Sequence, residues 1–303
     1  MNNTIKTLNK LSLIGLIVTI ALTCGIGGTI TSAEVGMAYP TWPNINSGSL
    51  FSFFYDELAT SFGVGSVVEH THRQAASLTG LIILILACYA FAKRATINAD
   101  LRKLAYSSLI LVIAQGLLGA TRVFENDYII AILHAVGAQI VVAILAILYL
   151  KTKANYSEHF PLASERTHQK LIRWSRLTMF LLIVNLFAAA SLRHKQGAFE
   201  GHLILAILTT TALCYLIYLI STLAENRVMF SHAQRLSKIL GTQVALGVGA
   251  WAFLLGPLAY KIESEDTRFL IQAVIATGHL LCGVLLFAYA TVVYHEIHNR
   301  LKK

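Results

Sequence analysis

The sequence predicts an all-α integral membrane protein, with eight transmembrane helices arranged as two pseudo-symmetric four-helix bundles. Three observations carry that reading. Of 303 residues, 56% are hydrophobic and only 13% charged, about half the charge of a soluble domain, and the mean hydropathy is +0.64. Apolar runs long enough to cross a bilayer, which takes about 20 residues each, recur along the whole chain. They lack strand-like alternation, and a lipid-exposed span must satisfy its own backbone hydrogen bonds, so they read as helices. Finally, every second run contains a histidine.

The first span, 11–32, follows Lys6 and Lys10 as a signal peptide would. Its apolar run is too long for one, and Thr31-Ser32-Ala33 is a poor cleavage site, so it is read as a helix. No Arg-rich transit peptide is present, which favours a bacterial inner membrane over an organelle. A loop at 33–71 leads to the second span, 72–92. It carries Tyr39, Trp42, Phe51, Phe53, Phe54, Tyr55 and Phe62 and no Lys or Arg. So long a loop reads as a lid or binding surface, or as an amphipathic segment lying at the headgroups. Spans 104–121 and 128–150 complete a first half, 1–150. A basic linker, 151–173, precedes the second half, 174–303, with spans 174–192, 202–223, 237–257 and 268–293.

The net charge of +9 sorts by side rather than forming a nucleic-acid patch. Eighteen of the 24 basic residues fall on one side of the eight-span arrangement, leaving Arg73, Arg122, Arg193, Lys195, Lys261 and Arg268 on the other. Basic residues stay in the cytoplasm, so both termini are expected there and loops 33–71, 122–127, 193–201 and 258–267 outside. The lipid bilayer is the implied partner, and no nucleic acid is needed. Cys24, Cys88, Cys214 and Cys282 lie within spans without a Cys-x-x-Cys pair, so they read as packing residues.

His72, His134, His202 and His279 occupy the second and fourth spans of each half. Ionisable side chains inside a membrane are expensive and mark sites. Imidazole is a common axial ligand of haem iron, and bundle cores are where facing helices place such ligands, so two pairs would hold two porphyrins. The third spans also correspond, with Gln115-Gly-Leu-Leu-Gly119 in one half and Gln243-Val-Ala-Leu-Gly247 in the other. Gly27, Gly28, Gly80, Gly116, Gly119, Gly247 and Gly249 let helices or a flat porphyrin approach closely, and plain helix packing explains most of them.

The densest local signal is Glu69-His70-Thr71-His72-Arg73. Residues three apart share a helix face, so Glu69 and His72 point into one cavity and His70 elsewhere, toward the external surface. Glu69 is a candidate for accepting a proton or stabilising developing positive charge. The alternative is a pair with Arg73 at the helix entrance. In the second half Glu200 stands two residues before His202 and should not share its face. His159, His168, His232, His295 and His298 are expected to be solvated on the cytoplasmic side. Arg193-His194-Lys195, at the mouth of the second bundle, is a candidate for contacting carboxylates such as haem propionates, or a headgroup cap.

These residues resemble the haem A synthase family over nearly the whole length. The most specific pieces are Glu69-x-x-His72-Arg73, Gln115-Gly-Leu-Leu-Gly119 followed by His134, and Gly36-Met-Ala-Tyr-Pro-Thr-Trp-Pro43. The family commonly has Gly-Leu-x-x-Pro-Asp-Trp-Pro in that last segment, so Met37 and Thr41 depart from it. The loop cysteine pair of many members is absent. The resemblance implies oxidation of a methyl group of haem O, through an alcohol, to the formyl group of haem A for cytochrome oxidase. It implies His72 and His134 as ligands of the substrate haem, Glu69 as catalytic, and His202 and His279 as ligands of a haem B cofactor. Arg73, Arg193 and Lys195 become candidate propionate contacts. Haem O synthase and an electron donor are the implied partners. Two other readings use the same histidines: a non-catalytic di-haem b-type cytochrome, and a haem carrier or oxidase assembly factor.

Overall fold

The computed structural model describes residues 2–39, 41–44, 55–153, 164–223, 227–259, 261–262 and 264–299. Phe51, Phe53 and Phe54 of the long loop, Pro40 of its motif, His159 and most of the linker lie outside these. Among the described residues every regular element is helical: α1 (Asn3–Val18), a π segment (Thr19–Cys24), α2 (Gly25–Ser32), α3 (Tyr55–Phe62), α4 (Val64–Ala92), α5 (Ala99–Glu125), α6 (Tyr128–Lys151), α7 (Glu165–Arg193), α8 (Phe199–Leu223), α9 (Arg227–Leu254) and α10 (Glu265–Asn299).

Among the described residues seven helices are long and apolar enough to cross a membrane: Asn3–Ser32, Gly65–Ala92, Ala99–Glu125, Tyr128–Lys151, Glu165–Arg193, Phe199–Thr222 and Phe269–Asn299. The chain is a multi-pass membrane protein. The expected span at 237–257 lies in α9, which has 28 residues but is not among the seven. Arg227, Arg235 and Lys238 make its first half polar. Large apolar side chains such as Ile110, Phe180, Leu117 and Val274 are more than 60% exposed on these helices. Such a surface would aggregate in water and is what a bilayer covers.

Sequence-local chemistry sets the helix ends. Asn98 caps α5 by accepting from Leu101 N–H, and Asp127 caps α6 by accepting from Ile129 and Ile130 N–H. Between those helices Asn126 takes the left-handed conformation, which its short polar side chain tolerates, so the chain reverses within two residues. Ser164 caps α7.

Packing follows two neighbourhoods. In the first, α1 lies against α4 and α6, and α5 against α4 and α6. Leu8, Ile83, Leu86, Ala105, Val141 and Leu145 fill their core. In the second, α7 and α9 each contact α8 and α10, around Leu171, Leu216, Leu219, Met229 and Val293. The two meet where α6 faces α10 and α7 and where α10 faces α2, through Cys24, Val142, Val284 and Ala288 and through Ile132, Val136 and Ala190. All four cysteines are free thiols, two buried and two exposed.

Three sequence expectations are corrected. The loop 33–71 is partly helical, because α3 and the first two turns of α4 lie within it, and His72 sits in the third turn rather than at a helix start. His70, expected at the surface, is completely buried. The α3 helix folds over it, with Tyr55 edge-on to its ring, and His70 Nε2 pairs with the Gln74 amide at 2.9 Å. The described histidines expected to be solvated lie in long helices. His232 is only 4% exposed and meets the Tyr289 hydroxyl at 2.8 Å, while His168 Nε2 is 3.1 Å from the Ile297 carbonyl. His295 and His298 are half-buried. The physical reason is length: α10 has 35 residues, about 52 Å at 1.5 Å each, against a hydrocarbon core of about 30 Å. Its last turns therefore pack beyond the apolar run.

Candidate functional site

The four span histidines form two pairs. His72 and His134 are within electrostatic reach of each other, as are His202 and His279. Three of the rings lie against the backbone of a neighbouring helix: His72 against Thr23, His134 against Gln115 and His279 against Gln243. The Nδ1 atoms of all four are buried, and none closes a hydrogen bond of normal geometry. Four Nδ1 atoms buried in apolar helices with no partner among the described residues do not fit a packing role, since buried polar atoms are ordinarily paired.

Small residues make room for the rings. A Cβ on Gly27 would stand 2.8 Å from His72 Cε1, one on Gly247 3.0 Å from His279 Cε1, and one on Gly119 3.3 Å from His134 Cε1. The halves repeat the device. Gln115 lies one helical turn before Gly119 and its amide packs on Gly137, while Gln243 lies one turn before Gly247 and packs on Gly283. The Gln243 amide is also 3.3 Å from His279 Nε2. Gly80 and Gly116, by contrast, have open space where a Cβ would go. The π segment helps to shape the first site. It brings Thr23 to the His72 ring, and Thr23 Oγ1 lies 2.8 Å from Thr79 Oγ1 on the same helix as His72. Such insertions cluster at functional sites, and nothing in the residue pattern announced this one.

Glu69 and Arg73 pair at 2.6 Å with both side chains under 10% exposed. The sequence alternatives were a pair or a site carboxylate; the pair forms, but in the interior. The other Glu69 oxygen accepts from Ala38 N–H at 2.6 Å. Arg73 donates on to the carbonyls of Thr41 and Tyr39, and its guanidinium lies 5.6 Å from the centroid of the Tyr39 ring. Ala38, Tyr39 and Thr41 are thus fastened to α4 by the charged pair, which links two sequence motifs. Glu200, by contrast, is exposed.

The other nominated cations tie the halves together. Arg193 donates to the Gly28 carbonyl at 2.9 Å, to Ser32 Oγ at 3.0 Å and to the Ala276 carbonyl at 3.4 Å. Lys195 pairs with Glu34 at 2.7 Å on the surface. His194, just past α7, is pushed down to about 4 by partial burial and then by Arg122 and Arg193.

One residue the sequence reading counted but did not nominate belongs here. Arg122 is half-buried and within electrostatic reach of Glu69, His72, His134 and His194. It follows Gln115 and Gly119 on one helical stripe at i, i+4 and i+7, a periodicity that was available to find it.

The cytochrome oxidase assembly protein family COX15-CtaA matches residues 56–200. That segment holds Glu69, His72, Arg73, Gln115, Arg122 and His134. A relative from Exiguobacterium sp. (strain ATCC BAA-1283 / AT1b) carries the name haem A synthase and is 26% identical over 262 residues, 78% of this chain and 80% of its own. One from Halalkalibacterium halodurans, with the same name, is 28% identical over 136 residues, 44% of this chain and 41% of its own. A third, from Bacillus licheniformis and again so named, is 31% identical over 138 residues, 44% of this chain and 40% of its own.

Proposed function

We propose, from the chain's similarity to the COX15-CtaA family over residues 56–200 and to a haem A synthase over 78% of its length, that it oxidises a methyl group of haem O through an alcohol to the formyl group of haem A. The observation that supports this reading is the paired histidines, three of them set against a glycine, with a buried carboxylate three residues before one of them. In this reading the chain spans the bacterial inner membrane eight times, as two pseudo-symmetric bundles, 1–150 and 174–303, with both termini cytoplasmic. Haem O is the substrate and enters between His72 and His134. Haem O synthase supplies it, and the two two-electron oxidations take their oxygen atom either from O2, which is reduced with the help of an electron donor, or from water, with the electrons passing to an acceptor.

The residues of the second half fit haem B: two histidines within reach of each other, orphaned Nδ1 atoms and a glycine where a Cβ would collide. His202 and His279 would hold it, with no other hydrogen-bond partner for either Nδ1 among the described residues. When bound there, such a group would supply one-electron transfer. In the first half Glu69 stabilises positive charge developing at the oxidised carbon and takes its proton. A carboxylate pinned by Arg73 and Ala38 N–H needs no reorganisation to do so, and each carboxylate oxygen has a further lone pair free to accept. Arg73 holds Tyr39 and Thr41 over this end and excludes water.

Co-expression with a haem O synthase, followed by extraction and chromatography of the bound haems, tests the reading. Haem A together with haem B is expected. Haem B alone, with haem O present in the membranes, would instead support the non-catalytic cytochrome.

A further inference from the structure

A porphyrin substrate brings two carboxylates as well as iron, and a cation must meet them where the bundle becomes polar. The three cations nominated from sequence are already engaged. Arg73 holds Glu69 and two loop carbonyls, Arg193 holds Gly28, Ser32 and Ala276, and Lys195 holds Glu34. Arg122 is different. Among the described residues its guanidinium makes no hydrogen bond or ion pair, although it is half-buried. It stands one turn from Gly119, the residue against His134, and near Gly36, where a Cβ would lie 3.9 Å from Nη2. An arginine placed there pays a desolvation cost that a bound anion would offset.

The comparison with the second half sharpens this. Arg122 lies seven residues after Gln115, and seven residues after Gln243 the chain has Ala250. Glutamine, glycine and histidine recur in both halves; the arginine does not. It belongs to whatever only the first site does.

We propose that Arg122 is the carboxylate receptor of the N-terminal site, holding a propionate of the porphyrin substrate and so setting which edge of the macrocycle meets Glu69. The inference rests on the substrate reading above. In haem O the methyl group that becomes formyl shares a pyrrole ring with a propionate, so anchoring that propionate fixes the reacting carbon nearby. Arg122 and Glu69 lie within electrostatic reach of each other, as one ring carrying both groups requires. Arg122 positions and selects the substrate; it performs no bond-making step.

The test uses the full chain, made in cells without haem O and carrying its resident haem, titrated spectroscopically with haem O and with haem O dimethyl ester. Arg122→Gln should weaken binding of the diacid by about 10- to 100-fold, the value of a charge-assisted contact, and leave the ester unchanged. Arg122→Lys should recover part of the loss, and it serves as the test if the glutamine variant fails to fold. Equal weakening of both forms, or an unchanged diacid affinity, would overturn the proposal by making Arg122 structural or idle. A wild-type protein that takes up neither form would overturn the substrate reading itself, and this proposal with it.

Discussion

The two halves share a frame and differ in what is added to it. Each sets a histidine on its fourth long helix against a glycine on its third, with a glutamine one turn earlier. The first half adds a buried acid, Glu69, and Arg122, which has no hydrogen-bond or ion-pair partner among the described residues; at the same spacings from His202 and Gln243 the second half has Phe199 and Ala250, and its nearest acid, Glu200, is exposed. The second half contributes Arg193 and Lys195, which reach across to the first. The shared frame suits holding a planar group. The additions, confined to one half, are what recognition and chemistry at a substrate need.

The largest expected effect separates the halves by ligand. His202→Ala or His279→Ala should remove most of the haem B absorbance while the protein stays in the membrane, and His72→Ala should leave that absorbance intact. An unchanged spectrum in both second-half variants would end the assignment of the resident haem to that half.

The glycine cradles give a graded version. Gly27→Ala places a methyl 2.8 Å from His72 Cε1 and Gly247→Ala one 3.0 Å from His279 Cε1, so the rings must move. The first variant should lose haem A formation with haem B retained, and the second should lose haem B. Gly116→Ala, which meets nothing within 4 Å, should keep both. Extracted haem content reads all three.

These expectations show how far the residue pattern reaches. The long apolar helices, the four histidines and the Gln-x-x-x-Gly repeat were legible because helical period and residue chemistry are local properties. The burial of His70 and His232 was not, since it depends on α3 folding back over α4 and on α10 running beyond its apolar stretch. Nor did the pattern show that Arg73 and Arg193 spend their donors on backbone carbonyls, because carbonyls carry no sequence signal. The α9 helix marks the other limit. Its seventh-span reading rested on 237–257, whereas the helix begins at Arg227 and carries three cations in its first half.

Smaller effects probe the ties between halves. Arg193→Ala removes charge-assisted bonds to Gly28 and Ser32 and should cost about 1.5–3 kcal/mol, read as a lowered Tm in detergent. Lys195→Ala breaks a pair whose side chains are 73% and 66% exposed and should cost about 0–1 kcal/mol. Equal losses in the two would contradict the distinction between a buried tie and a surface one. The smallest effect concerns pH. His194 is held well below its ordinary value, at about 4, so the unfolded chain binds its proton first as pH falls. Stability should drop between pH 6.5 and about 4, and His194→Gln should flatten part of that decline in Tm.

The central claim is that only the first half performs chemistry, and its carboxylate tests it most directly. Glu69→Gln and Glu200→Gln, co-expressed with a haem O synthase, are compared by the haems extracted from each. The account predicts that Glu69→Gln retains haem B, makes little haem A and accumulates haem O or the alcohol, while Glu200→Gln makes haem A as wild type does. Haem A at the wild-type rate from folded Glu69→Gln would contradict it.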